Sequence, residues 1–291
     1  MRIKMIDIDG VRTRYLHAGD GYPLMLMHGV GVSGDTFLRN IDVLAERYAV
    51  YAPDMLGHGF TDSMDYQGGP PQPHTVRHLG KLADALGFDH YSVGGSSYGA
   101  LIAALMYFDR PQRVDSVIII GSGSTFHPPE GQAETLKAAF ANGSKAMSDP
   151  TLDSCRLRMA NILHDPAMVP EEMLLTQLTS YALPDRLEAY KATVSGMAAS
   201  VDSDVHRVYT RLEQMDVPCL VITGRQDIRS DVDLTIAGCK RMPDAELAIF
   251  DDCGHMPYME HPAQFNEAVA AFLRRAVDDR AAADAGHEAA E

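Results

Sequence analysis

The chain has 291 residues, 46% hydrophobic and 22% charged, a balance that suits one large soluble domain or one domain with an inserted unit. Its formal net charge of −15 argues against nucleic acid or an anionic membrane surface as partner. No stretch approaches the roughly 20 apolar residues needed to span a bilayer, and residues 1–10 carry Arg2, Lys4, Asp7 and Asp9 rather than an apolar leader.

In chain order, residues 1–8 and 13–18 read as an opening hairpin turning at Asp9-Gly10. Residues 24–27, 49–52, 91–93 and 117–120 are nearly all apolar and read as central strands covered on both faces. Helical periodicity lies between them at 37–48 and 76–86, the second stopping at Gly87. Strand–helix alternation of this kind predicts an α/β fold, a mostly parallel sheet with helices on both faces.

The alternation stops at about Phe126. From there to Met215 the pattern is helical, broken at Pro128-Pro129, Pro150, Pro166, Pro170 and Pro184. The methionines of this stretch (Met147, Met159, Met168, Met173, Met197) read equally as helix core or as an adaptable apolar surface. Strands return at 219–223 and 247–250, followed by a last amphipathic helix on Phe265, Val269, Phe272 and Leu273. The expected organisation is therefore a core at 1–125, a helical cap at 126–215, the rest of the core at 216–276, and an Ala-rich acidic tail at 277–291 expected to be disordered. The cysteines Cys155, Cys219, Cys239 and Cys253 lack metal or disulfide spacing and read as reduced residues of a cytoplasmic protein.

The chemistry is concentrated in Gly95-Ser96-Ser97-Tyr98-Gly99, between an expected strand and an expected helix. Strand, Gly-x-Ser-x-Gly, helix is the context of a nucleophile elbow, with Ser97 in a strained turn at a cost of about 1–3 kcal/mol. A serine hydroxyl needs a base at neutral pH. His255, just past the last strand, fits that role, and Asp227, just past the preceding strand, fits as the carboxylate that orients it. Asp231 and Asp233 lie too far down their loop, while Asp251 and Asp252 lead directly into the histidine loop. The backbone N–H groups of Val30, in the turn His28-Gly29-Val30-Gly31, and of Tyr98 are the expected oxyanion donors. His28 is expected to shape that turn, and Asp54 and His58 to hold their loop. The other histidines (His74, His78, His127, His164, His206) have no partner at metal-ligand spacing, so neither a metal nor a cofactor is expected.

These elements together resemble an α/β-hydrolase-fold enzyme with a helical cap. The stretch Ala52-Pro53-Asp54-Met55-Leu56-Gly57-His58-Gly59-Phe60-Thr61-Asp62 sharpens this, as do Leu163-His164-Asp165-Pro166 through Glu171-Glu172 and Gly121-Ser122-Gly123. It is similar to hydrolases that cleave the carbon–carbon bond of meta-ring-fission products in aromatic degradation. The resemblance implies a small dienoate substrate, no cofactor, and substrate contacts near Gly29, Thr36, Arg39, Gln177 and Met256; dimers are common in the family, so a homodimer is compatible with it. Three positions depart from the family pattern. Met256 stands where the family has tryptophan, Gln177 where its cap has a carboxylate-binding arginine, and Thr36 where it has asparagine. Arg39, Arg156 or Arg158 could supply the positive charge instead. An esterase or enol-lactone hydrolase remains the alternative, and a non-catalytic ligand receptor on the same fold stays open at this point.

Overall fold

A computed structural model describes residues 1–278. Strands β1 (Arg2–Ile8) and β2 (Val11–Ala18) form an antiparallel hairpin. Asp9 and Gly10 both take positive φ there (53° and 83°), as a tight two-residue hairpin turn requires. The core continues through β3 (Tyr22–Met27), α1 (Leu38–Leu44), β4 (Tyr48–Pro53), α2 (Gln72–Ala85), β5 (Tyr91–Ser96), α3 (Tyr98–Asp109), β6 (Val114–Ile120) and the short α4 (Gly123–Phe126). Four helices then leave the sheet: α5 (Pro129–Ser148), α6 (Leu152–Ala160), α7 (Glu171–Tyr181) and α8 (Arg186–Ala199). The chain re-enters with β7 (Cys219–Gly224), α9 (Val232–Cys239), β8 (Ala245–Phe250), α10 (Pro257–Glu260) and α11 (Pro262–Leu273).

The strands make one sheet in the order β1-β2-β4-β3-β5-β6-β7-β8. Pairing is antiparallel from β1 to β4 through β2 and parallel everywhere else. Central strands are apolar along their length because helices cover both faces; β5 is buried at every residue. Chain order reverses between β3 and β5, so the turns after these two strands diverge and leave a crevice at the C-terminal edge of the sheet. The loops after β7 and β8 end at that same edge.

The proline breaks fall at helix boundaries, and no strand occurs between β6 and β7. Two expectations need correcting. The helix expected at 37–48 is only α1, preceded by a 3-10 turn at Gly34–Phe37, because Tyr48 to Tyr51 pair with β3 and β2 instead. Ladder hydrogen bonds with two neighbours outweigh the helical pattern of the flanking residues. Residues 277 and 278, expected in the tail, belong to a terminal turn at Arg274–Asp278, where Ala276 and Val277 are buried. The remainder, 279–291, lies outside the described residues. All four cysteines are buried and unpaired. Among the described residues no helix is long and apolar enough to cross a membrane.

Candidate active site

Ser97 caps α3 with φ 55° and ψ −115°, a left-handed conformation that few non-glycine residues adopt. Its N–H donates to Ile120 O at 2.9 Å, and Ser122 Oγ donates to its carbonyl at 3.1 Å, so β6 and the turn after it hold the strained residue. The flanking glycines are obligatory. A Cβ on Gly95 would stand 2.3 Å from the Gly99 carbonyl, and one on Gly99 2.3 Å from Met27 O. The elbow therefore packs backbone to backbone against β3, which leaves the Ser97 side chain facing the cavity.

His255 Nδ1 lies 2.8 Å from Asp227 Oδ2, and both residues are buried. This contact assigns the ring proton to Nδ1 and leaves Nε2 as the basic nitrogen. The other carboxylate oxygen of Asp227 accepts from Arg229 N–H at 2.8 Å and Ser230 N–H at 3.1 Å, which sets its orientation. The rival acids are occupied elsewhere. Asp231 caps α9 through Asp233 and Leu234 N–H, and Asp251 pairs with Arg225.

One residue that the sequence reading missed locks the histidine loop. Glu260 is buried, and its carboxylate accepts from Gly254 N–H at 3.0 Å, Met256 N–H at 3.1 Å and His164 N–H at 2.8 Å. The first two flank His255, and the third belongs to the segment after α6. His255 N–H itself donates to Ile162 O at 3.3 Å. The catalytic loop is thus tied to the cap through its own backbone.

The opposite wall is the turn after β3. His28 Nδ1 donates to Gly29 O at 2.7 Å while Nε2 accepts from Met55 N–H at 2.9 Å, and burial holds its pKa below the ordinary histidine value. A neutral, doubly bonded imidazole shapes the turn, as expected. Asp54 does the same for its loop, accepting from Gly34 and Phe60 N–H and from Arg14. His58 Nδ1 bonds Leu56 O at 2.8 Å within that loop. The cap reaches this wall too. Arg158 on α6 donates to Val30 O at 3.1 Å, and Tyr181 on α7 donates to Gly31 O at 2.5 Å. As the first residue of α3, Tyr98 has an N–H with no acceptor inside its helix. Tyr98 and Val30 both line the same cavity as Ser97 and His255.

Gly29 and Met256 line that cavity, as expected. Three other expected contacts do not. Thr36 is buried within the 3-10 turn, donating to Ser33 O at 3.0 Å. Arg39 is exposed and pairs with Glu172. Gln177 is buried against Met159, because the register of α7 turns it into the cap interior rather than the cavity. Arg156 is exposed, whereas Arg158 lines the cavity. Arg229, unmarked by any motif, lines it as well; its only sequence signal is its place two residues after Asp227. Of the cap methionines, Met197 lines the cavity, Met147, Met159 and Met173 are core, and Met168 is exposed.

Comparison with known proteins agrees with this geometry. Residues 22–262 match the α/β hydrolase fold family. A 2-hydroxy-6-oxononadienedioate/2-hydroxy-6-oxononatrienedioate hydrolase of Burkholderia vietnamiensis is 30% identical over 276 residues, 91% of this chain and 92% of that protein. A 2-hydroxymuconate semialdehyde hydrolase of Pseudomonas putida is 27% identical, covering 92% of each chain. The solved meta-cleavage product hydrolase of Pseudomonas fluorescens superimposes with a TM-score of 0.78 at 26% identity, over 94% of this chain and 98% of that one. The matches to these relatives cover about nine-tenths of the chain, cap included, and the matching proteins are named as hydrolases: the chain is an enzyme of the α/β-hydrolase fold family, similar to the meta-cleavage product hydrolases within it.

Proposed function

We propose that this hydrolase cleaves a carbon–carbon bond next to a ketone in a small dienoate of the meta-ring-fission type. One observation carries the reading: the His255–Asp227 pair, bonded at 2.8 Å, shares a single cavity with a strained Ser97 and with Val30 and Tyr98. The names of the similar proteins supply the substrate class.

In this scheme His255 Nε2 takes a proton from Ser97, or from a water that Ser97 positions, as the oxygen adds to the ketone. Asp227 stabilises the imidazolium without accepting its proton. The Val30 and Tyr98 amides hold the developing oxyanion, each worth roughly 10²–10³ in rate by analogy with other oxyanion donors. Carbon–carbon cleavage adds one demand. The departing carbon must be protonated, so the dienol first ketonises, and its fragment leaves with a hydrogen while the acyl fragment gains hydroxyl from water. Ester and enol-lactone hydrolysis use the same groups without that step.

Turnover of a yellow meta-ring-fission dienoate beside a short nitrophenyl ester, with Ser97→Ala as control, tests the reading. Bleaching of the dienoate with kcat/KM well above the ester's is the expected result. Ester turnover without bleaching would overturn carbon–carbon cleavage in favour of an esterase or lactonase.

A further inference from the structure

Two guanidinium groups in the catalytic cavity have no counter-ion. Arg158 is 4% exposed, yet it bonds only neutral acceptors, Tyr181 Oη at 2.7 Å and Val30 O at 3.1 Å. Arg229 donates to Asn161 O at 3.2 Å. The Nε of each is buried without a hydrogen-bond partner, and among the described residues neither arginine has a carboxylate within ion-pair distance. The nearest acid, Asp227, is committed to His255 and two backbone amides.

Arg14 serves as an internal control. It is buried to a similar degree, but both of its terminal nitrogens bond Asp35 at 2.7 Å and one also meets Asp54 at 3.0 Å. Arg186, also buried, pairs with Asp185, whereas Arg207 is buried without a carboxylate among the described residues but lies away from this cavity. Leaving two like charges unpaired in one cavity is costly, and the cost is recovered only when an anion enters. Burial and the neighbouring Arg158 charge together lower the Arg229 pKa.

We infer that Arg158 and Arg229, with the Tyr190 ring beside Arg158, form a holding site for a carboxylate carried by the substrate. Planar guanidinium forks match a carboxylate in two prongs. The adjoining wall of Leu136, Ala139, Ile162 and Met197 takes the hydrocarbon stem of an organic acid. The charge is thus supplied by α6 and the loop after β7, not by the position on α7 that Gln177 occupies. This rests on the hydrolase reading of the cavity but not on the bond that is cleaved.

Calorimetric titration of the intact protein with hexanoate and with its uncharged isostere hexanamide tests the site without any turnover. The carboxylate is expected to bind at least about tenfold more tightly, as a charge-assisted pair should. Arg229→Gln is expected to remove most of that preference and Arg229→Lys to keep a large part of it. Equal binding of acid and amide, no binding of either at millimolar concentration, or an undiminished preference in Arg229→Gln would each overturn the inference. If Arg229→Gln fails to fold, the acid-to-amide ratio of the unaltered protein still decides. A protein that prefers the acid but leaves the dienoate unbleached keeps this site and loses only the reaction assigned above.

Discussion

The two walls of the cavity are built on different principles. The sheet side carries Ser97, His255 and Asp227 on short turns after β5, β8 and β7, and each turn is held by backbone hydrogen bonds from its immediate neighbourhood. The cap side presents Arg158, Tyr190, Leu136 and Met197 from three helices, and meets the core through single side-chain contacts at long sequence separation. Chemistry common to many hydrolases sits on the sheet half, while the cap half supplies Arg158 and much of the apolar lining of the cavity. At the catalytic turns the halves are joined by Arg158 and Tyr181 on the oxyanion turn and by Glu260 and Ile162 on the histidine loop. Arg186–Thr61, Ser63–Asp185, Gln72–Ser200, Arg39–Glu172 and Arg229–Asn161 join them elsewhere.

Breaking the sheet side should have the largest effect. Asp227→Asn leaves the shape intact but forces the wrong imidazole tautomer, and kcat should fall by on the order of 10⁴ with KM changed far less. A loss under about tenfold would show that another acid serves His255. The junction comes next. Glu260→Ala strips an acceptor from two buried N–H groups and one partly buried one, at about 1–3 kcal/mol for a buried group left unsatisfied. Urea denaturation should therefore show a clear drop in midpoint, and kcat should drop with it. Glu260→Gln should fall between, since its amide turns a donor toward one of the three. Stability lost with full kcat would separate Glu260 from the positioning of His255.

Tyr181→Phe tests the cap's grip with the smallest change. It deletes one hydroxyl bonded to Gly31 O and Arg158, worth about 1 kcal/mol. Turnover of a neutral nitrophenyl ester should fall by a few-fold in kcat with KM nearly constant. A change confined to KM would place Tyr181 in substrate binding instead of in holding the oxyanion turn.

The difference between the walls also explains what could be read in advance. The elbow is legible because its constraint is local: with Gly95 and Gly99 blocked by backbone at 2.3 Å, only that short pattern fits there. Asp227 and His255 are legible because a parallel sheet delivers every post-strand turn to one edge, so chain order implies proximity. No such rule decides which other side chains line the cavity. Gln177, Thr36 and Arg39 were placed by analogy, and helix register and a 3-10 turn move all three out of the cavity. Arg229 carries no motif, and only the fold brings it next to Arg158.

By itself, then, the amino-acid sequence determined a mostly parallel α/β sheet interrupted by a helical segment, through periodicity, and the Ser97–His255–Asp227 set, through glycine sterics and strand order. The α/β-hydrolase family entered as a resemblance carried by those motifs. Only the tertiary structure decided which cap side chains face the nucleophile, that Glu260 ties the histidine loop to the cap, and that two arginines stand unpaired in the cavity. The physical reason is one of range. Turn geometry is set by a few adjacent residues, whereas the direction of a helical side chain depends on packing against elements far away in the chain, where one residue of register turns it by about 100°.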